Sequence, residues 1–236
     1  MARHAVAVAA KGLAGALAAV VLGLAGCAEA ERPTTTDEGV PPTERLGDEA
    51  LPSELRAFLE RAEVGQDAAF TGTWAVTNNL GGGTASVEVA TDPPAVRIAA
   101  ADLVIVDGPR PATCLVSAGA CVGEVREQQL APLGIFSGFF SSGPAQALRT
   151  AARRPGAGEP VATTRSVAGI DVDCLAIPVG GVTTATSCLT PEGIFGWVDT
   201  PSVHYELTRY APGRSAQTLD PPYPVEGDGS FLLDPG

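Results

Sequence analysis

Five cysteines, a histidine at position 204 and a few closely spaced carboxylates are the residues with which this chain of 236 could do chemistry. Cys114 and Cys121 close the segment CLVSAGAC, and Cys174 and Cys188 close CLAIPVGGVTTATSC. Each segment folds as a hairpin, about Ser117-Ala118 in the first and Gly180-Gly181 in the second. Residues facing each other across such a hairpin lie ~4.5–5.5 Å apart at Cα, which suits a disulfide. The expected pairs are therefore Cys114–Cys121 and Cys174–Cys188. Four cysteines allow three pairings, and the other two stay open at this point. Zinc is the rival use of four thiolates, but neither spacing contains a close CxxC pair, so no metal is expected and thiol redox chemistry is disfavoured. His204 and Glu206 share one face of a strand, as do Asp171 and Asp173. Both pairs read as surface pairs before they read as an acid–base or cation site. Gly134–Gly138 spells GIFSG, which is not a GxSxG elbow, and neither HExxH nor SxxK occurs. Gly81–Gly83 lacks the lysine and the helix of a phosphate loop. The expectation is no enzyme, no catalytic residue and no cofactor. Acid catalysis by separated carboxylates leaves no motif to read.

The fifth cysteine, Cys27, stands apart from the others. Arg3 and Lys11 make the N-terminus basic, and Gly12–Leu24 is almost wholly apolar, GLAGALAAVVLGL. That run is short of the ~20 apolar residues a spanning helix needs and fits the hydrophobic region of a secretory signal. Leu24-Ala25-Gly26-Cys27 follows, and it resembles the bacterial lipobox: an aliphatic residue, two small residues, then cysteine. The resemblance implies cleavage before Cys27 and acylation of its thiol, with palmitate-type chains. The membrane is then a partner through Cys27, on the outer face of the cytoplasmic membrane. Two acyl chains hold a protein there stably, where one is marginal. An odd cysteine count with two disulfides leaves one thiol over, and Cys27 is that thiol.

Composition narrows the partners. The full sequence carries a net charge of −12, and residues 1–26 hold two basic residues and no acid, so the processed chain is more acidic still. Lys11 is the only lysine. Nucleic acid and anionic lipid surfaces both want a basic patch, so neither is expected as a partner. Oligomeric state is not legible.

Four segments follow in order: a lipoprotein signal, 1–26; the acylated cysteine with a flexible linker, 27–47; a folded domain, 48–210; and a Pro/Gly-rich tail, 211–236. The linker is rich in Pro, Thr and acids and spans about 25 Å as flexible coil. Leu51, Leu55, Phe58, Leu59 and Ala62 recur at helical spacing, with Ser53 placed to cap. From Ala68 the period is two: Phe70, Gly72, Trp74 and Val76 share a face, and short Gly and Pro turns then link antiparallel strands. Leu130, Leu133, Phe136, Phe139 and Phe140 form a helically spaced stripe, either core or a movable cover over an apolar cavity. Pro144 opens a second helix, PAQALRTAARR, whose arginines suit the negative helix end. Strands resume from Val161 to Tyr210, where Phe195 and Trp197 are expected on one face. In the tail, Phe231, Leu232 and Leu233 are expected to dock and the rest to be loosely ordered.

One helix, a run of strands, helical segments and more antiparallel strands resemble the LolA/LppX-like (LppX/LprG) lipid-binding fold. The segments LPSELRAFLERA, FTGTWAV, VATDPPAVR, DGPRPATCLVSAGAC, VAGIDVDCLAI and SCLTPEGIFGWV also resemble actinobacterial envelope lipoproteins, over about Leu51 to Tyr210. The resemblance implies an α+β class: a curved antiparallel half-barrel of about 9–11 strands, with helices on its concave face and an apolar cavity beneath. It further implies a lipid or lipoprotein ligand, with Trp74, Phe136, Phe139, Phe140 and Trp197 as candidate lining. A non-enzymatic interaction or sensing module with a filled core is the alternative.

Overall fold

The computed structural model describes residues 48–179, 183–214 and 219–226. The signal segment 1–26, Cys27, the linker 27–47, the turn at Gly180-Gly181 and Phe231–Leu233 lie outside these residues.

A short 3-10 turn, Asp48–Ala50, leads into α1, Ser53–Gly65. Leu55, Phe58, Leu59 and Ala62 fall three or four apart along α1 and are its buried stripe. Ser53 does not cap it. Pro52 holds the cap position, its carbonyl accepts from the Arg56 N–H, and no side chain bonds the first turn. The proline supplies the entry geometry without a hydroxyl.

Eleven strands form one curved antiparallel sheet, open rather than closed. They are β1 (Phe70–Asn78), β2 (Gly83–Asp92), β3 (Ala95–Ala100), β4 (Leu103–Asp107), β5 (Ala112–Leu115), β6 (Ala120–Val122), β7 (Val161–Val167), β8 (Ile170–Val179), β9 (Thr183–Leu189), β10 (Phe195–Asp199) and β11 (Val203–Pro212). The order across the sheet is β6-β5-β4-β3-β2-β1-β11-β10-β9-β8-β7. Two meanders, β1–β6 and β7–β11, are therefore joined along a single seam where β1 pairs with β11, from Phe70↔Pro212 to Asn78↔Val203. The curl brings β7 into contact with β11 past three intervening strands.

Between the meanders the chain crosses the sheet as a 3-10 helix, Glu127–Leu133, an irregular stretch, 134–141, and α2, Ser142–Ala152. The Leu130–Phe140 stripe is thus not one helix. Pro132 denies the helix a donor, and Gly134, at φ 74°, ends it in the left-handed conformation. The arginines of α2 do more than face its end. Arg149 binds both Asp48 of the 3-10 turn and Glu63 of α1, and Arg153, the residue that ends α2, also reaches Asp48, at 3.1 Å, so α2 is clamped to α1 and to the turn that precedes it.

Both disulfides form as hairpin pairs, Cys114–Cys121 and Cys174–Cys188. The first lies on the sheet face away from the helices, by alternation with Ile105, and the second is buried in the main core. The first belongs to a small second core with Val104, Val106 and Ala112, against which Tyr223 packs. Part of the tail is therefore ordered. Pro224–Glu226 runs along β6: the Cys121 N–H donates to the Pro224 carbonyl at 3.0 Å, and the Glu226 N–H donates to the Cys121 carbonyl at 2.7 Å.

Candidate functional site

The helix-bearing face centres on a cluster of rings. Trp74 and Phe70 come from β1, Phe139 and Phe140 from the irregular stretch, and Tyr205 from β11. Trp74 meets Phe139 edge-on at 5.5 Å and tilts against Phe140 at 6.0 Å. Phe139 meets Tyr205 at 5.4 Å, and Phe140 meets Phe70 at 5.6 Å. Three of the five candidate lining residues, Trp74, Phe139 and Phe140, thus come together, and they do so buried, with Trp74 at 0% exposure. Edge-on packing matches the positive rim of one ring to the negative face of the next.

Each polar group in this cluster has a partner. Trp74 Nε1 donates to the Phe195 carbonyl at 3.1 Å, the Tyr205 hydroxyl donates to the Phe139 carbonyl, and the Phe195 N–H donates to the Phe140 carbonyl at 3.0 Å. Stretch 134–141 is therefore tied to β10 and β11 through its main chain. Burial holds the Tyr205 phenol well above its ordinary pKa. Tyr210, against Phe70, is raised by burial and further by its hydrogen bond to Glu192.

The rings fill the middle of this face, and free space lies in open clefts on either side of stretch 134–141. One, of about 330 Å³, is mixed in character: Val96, Ile98, Ile105 and Phe140 line it together with Asp67, Thr91, Asp107 and Ser141. The other, of about 140 Å³, runs between Ile135, Phe136 and Phe139 and the strand residues Val198 and Tyr205. Phe136 is 46% exposed at the mouth of the second cleft. Its ring rests on Gly143, where any Cβ would overlap it.

Trp197 stands apart from the other four. The register of β10 shifts between Phe195 and Trp197. The shift leaves Phe195 and Val198 facing the helices, so the expected common face for Phe195 and Trp197 is not found. Trp197 instead lies under Arg165, 3.6 Å above its ring, and meets His204 edge-on, at 4.3 Å between ring centres. His204 faces Asp199 across the β10–β11 ladder, at 3.5 Å, rather than pairing with Glu206. Asp173 is paired with Arg61 of α1 at 2.6 Å. Among the described residues no three His, Cys, Asp or Glu side chains gather as metal ligands would.

A further groove was not legible in the sequence. About 460 Å³ of open space lies between α1 and the β7–β8 hairpin, lined by Glu54, Ala57, Phe58, Ala162, Thr164 and Leu175 among others. It is assembled from residues more than a hundred positions apart, and no local pattern announces it.

No protein-family model matches the chain, and no curated protein matches it. Solved structures are similar to it at low identity. A chain of the MucA/MucB complex of Pseudomonas aeruginosa is 18% identical, with 78% of this chain and 62% of that chain covered at a TM-score of 0.43. MucB by itself is 15% identical, with 78% and 64% covered at 0.43. LprF from Mycobacterium bovis is 11% identical, with 73% and 99% covered at 0.43. This chain spans somewhat under two thirds of the MucB chains it matches. At these identities and scores the likeness is one of chain path and does not extend to what is bound.

Proposed function

We propose that the chain is a membrane-anchored envelope lipoprotein, held through acylated Cys27, which binds a lipid or other apolar ligand on its helix-bearing face and catalyses no reaction. The observation that carries this reading is the apolar cleft between Ile135, Phe136 and Phe139 and the strand residues Val198 and Tyr205, fronted by the half-exposed Phe136. Each methylene that leaves water for such a surface contributes about 0.8 kcal/mol, so an acyl chain needs no polar motif to be held. The rings of Phe136, Phe139 and Phe140 sit on a non-helical stretch flanked by Gly134 and Gly143, and a chain entering that cleft would part them from the sheet. Trp74 would be the floor beneath. Trp197, on the far face, takes no part in this site.

The full chain recovered from its native envelope is expected to carry acyl lipid, identified by mass spectrometry of an organic extract. Replacing Phe136 and Phe139 together by serine should remove that lipid. Extracts without lipid from the unaltered protein would end the reading. The filled aromatic centre favours the second reading, an interaction module whose partner is a protein; a reproducible protein crosslink in cells with an empty lipid extract would select it.

A further inference from the structure

We infer that the free edge of β7 pairs with the β7 edge of a second copy of this chain, joining two sheets into one about a two-fold axis at Thr164. This interface is separate from the cleft around Phe136 and does not depend on what that cleft binds.

The two edges of the sheet are treated differently. The β6 edge is covered, because Pro224–Glu226 takes the outward main-chain groups of Cys121. The β7 edge has no such cover among the described residues, and Val161 to Ser166 are all exposed. Its main-chain groups can be assigned from the turn. Ala168 and Gly169, at φ 52° and 78°, make a two-residue hairpin closed by Val167 and Ile170. In such a hairpin the closing pair exchanges hydrogen bonds, and bonding then alternates along the ladder. Arg165, Thr163 and Val161 therefore bond to β8, while Ala162, Thr164 and Ser166 turn their N–H and C=O groups outward. Natural edges are blunted by lysine, proline, bulges or inward charges. VATTRSV has no lysine and no proline, and its ladder with β8 runs without a bulge. Its one charge, Arg165, is drawn onto Trp197 of β10, away from the open edge.

The sequence of β7 selects the occupant. Among antiparallel pairings of β7 with itself, only the one centred on Thr164 sets all three outward residues against outward residues. Ala162 then faces Ser166 of the second copy, Thr164 faces Thr164, and Ser166 faces Ala162. Each pair exchanges two hydrogen bonds, about six in all. The residues between them fit as well. Arg165 opposes Thr163, so the two arginines do not meet, and Val161, 51% exposed in one copy, is set against Val167 of the other. Sliding one strand two residues toward its turn sets arginine against arginine; sliding it the other way brings Pro160, which has no N–H, into a pairing position. A strand that complements itself over its full length forms a closed pair by two-fold symmetry. The chain as a whole has a net charge of −12, yet β7 carries no acid, so two such molecules can meet along it without opposed carboxylates on the pairing strands.

The axis of an antiparallel pair stands normal to the sheet, which keeps both copies of α1 on one side. Both Asp48 residues, held by the arginines at the end of α2, lie on that side. Two chains entering there can share one membrane, a point that alone rests on the proposed Cys27 anchor.

The test uses the full chain in neutral detergent. Raising its concentration should slow hydrogen exchange at the amides of Ala162, Thr164 and Ser166 and bring sedimentation to the dimer mass. Thr164→Glu and Thr164→Lys each set like charges opposite one another on the axis, and each should weaken self-association about fivefold. Mixing the two variants should restore it, because each then faces its opposite. Lys11 is the only lysine of the sequence and precedes Cys27, so the introduced lysine is the one ε-amine from Cys27 onward. In the mixture a carbodiimide should couple that amine to the introduced glutamate, as peptide mass spectrometry reads directly. If a charged variant fails to fold, the concentration dependence of the three amides in the unaltered chain decides. Exchange there that is independent of concentration overturns the inference. So do charged variants that associate as tightly as the unaltered chain, or a mixture whose introduced amine couples only to other carboxylates. Lipid extraction is read separately, so either site can fail without the other.

Discussion

At the residue scale, Tyr205 is one of two residues, with Phe195, that hold stretch 134–141 to the sheet through its main chain. Its phenol reaches the Phe139 carbonyl across the aromatic cluster, and burial keeps it neutral beyond the ordinary range. Tyr210 is shifted the same way, by burial and then by Glu192. The unfolded chain releases both protons near pH 10 while the folded chain retains them, so the unfolded state binds fewer protons there and stability falls as pH rises past about 10. Below that pH the contribution of both groups is fully present. Urea denaturation at pH 8 and pH 10.5 is expected to show the loss. Tyr205→Phe should leave the Phe139 carbonyl without this donor, cost about 1–3 kcal/mol at neutral pH, and flatten the alkaline fall. The same scale explains why the candidate lining residues divided. The type of each aromatic was legible as apolar, but its face was not, because one register shift in β10 turned Trp197 away from Phe195.

At the element scale, α1 is seated by two glycines. A Cβ on Gly65 would overlap the Gly193 carbonyl, and a Cβ on Gly193 would overlap the Arg61 carbonyl, so helix and turn touch through bare main chain. Gly193 also has a φ of 87°. Gly193→Ala is expected to cost about 2–4 kcal/mol, from left-handed strain together with overpacking that flexible side chains cannot relieve. Gly82→Ala is the control, since Gly82 has a φ of 70° and nothing within 4 Å; it should cost about 1–2 kcal/mol from strain alone. The shift of the urea midpoint measures both. The turn at Gly193 was readable from Pro191-Glu192-Gly193, whereas its meeting with Gly65 was not, because contact between distant main-chain segments has no sequence period. The strands were readable for the opposite reason: alternation and turn residues are local, and Val87, Val89, Ile98 and Ile105 lie inward as the period of two requires. Stretch 134–141 misled because its phenylalanines keep a helical spacing while Pro132 and Gly134 forbid the helix.

At the scale of the whole molecule, the acid excess and the seam between meanders are the governing features. Cys27→Ser is expected to abolish labelling by a palmitate analogue and to move the chain from the membrane to the soluble fraction; undiminished label would remove the proposed anchor. Reduction of both disulfides should lower stability, by about 3 kcal/mol for a bridge closing ~15 residues such as Cys174–Cys188. Non-local architecture explains what the sequence withheld here: that β1 pairs with β11, and that residues near 225 return to β6, are meetings between segments about a hundred or more positions apart. The seam has a consequence for biogenesis. A chain threaded outward from its first residue would have its first meander complete while β11 was still inside the cell. Until residue 203 and its successors followed, β1 would be raw along one side and Trp74 would lack its ladder partner Leu207. On the proposed export route the chain would thus emerge first as a sticky half-sheet, exposed to misassociation until its last strand arrived.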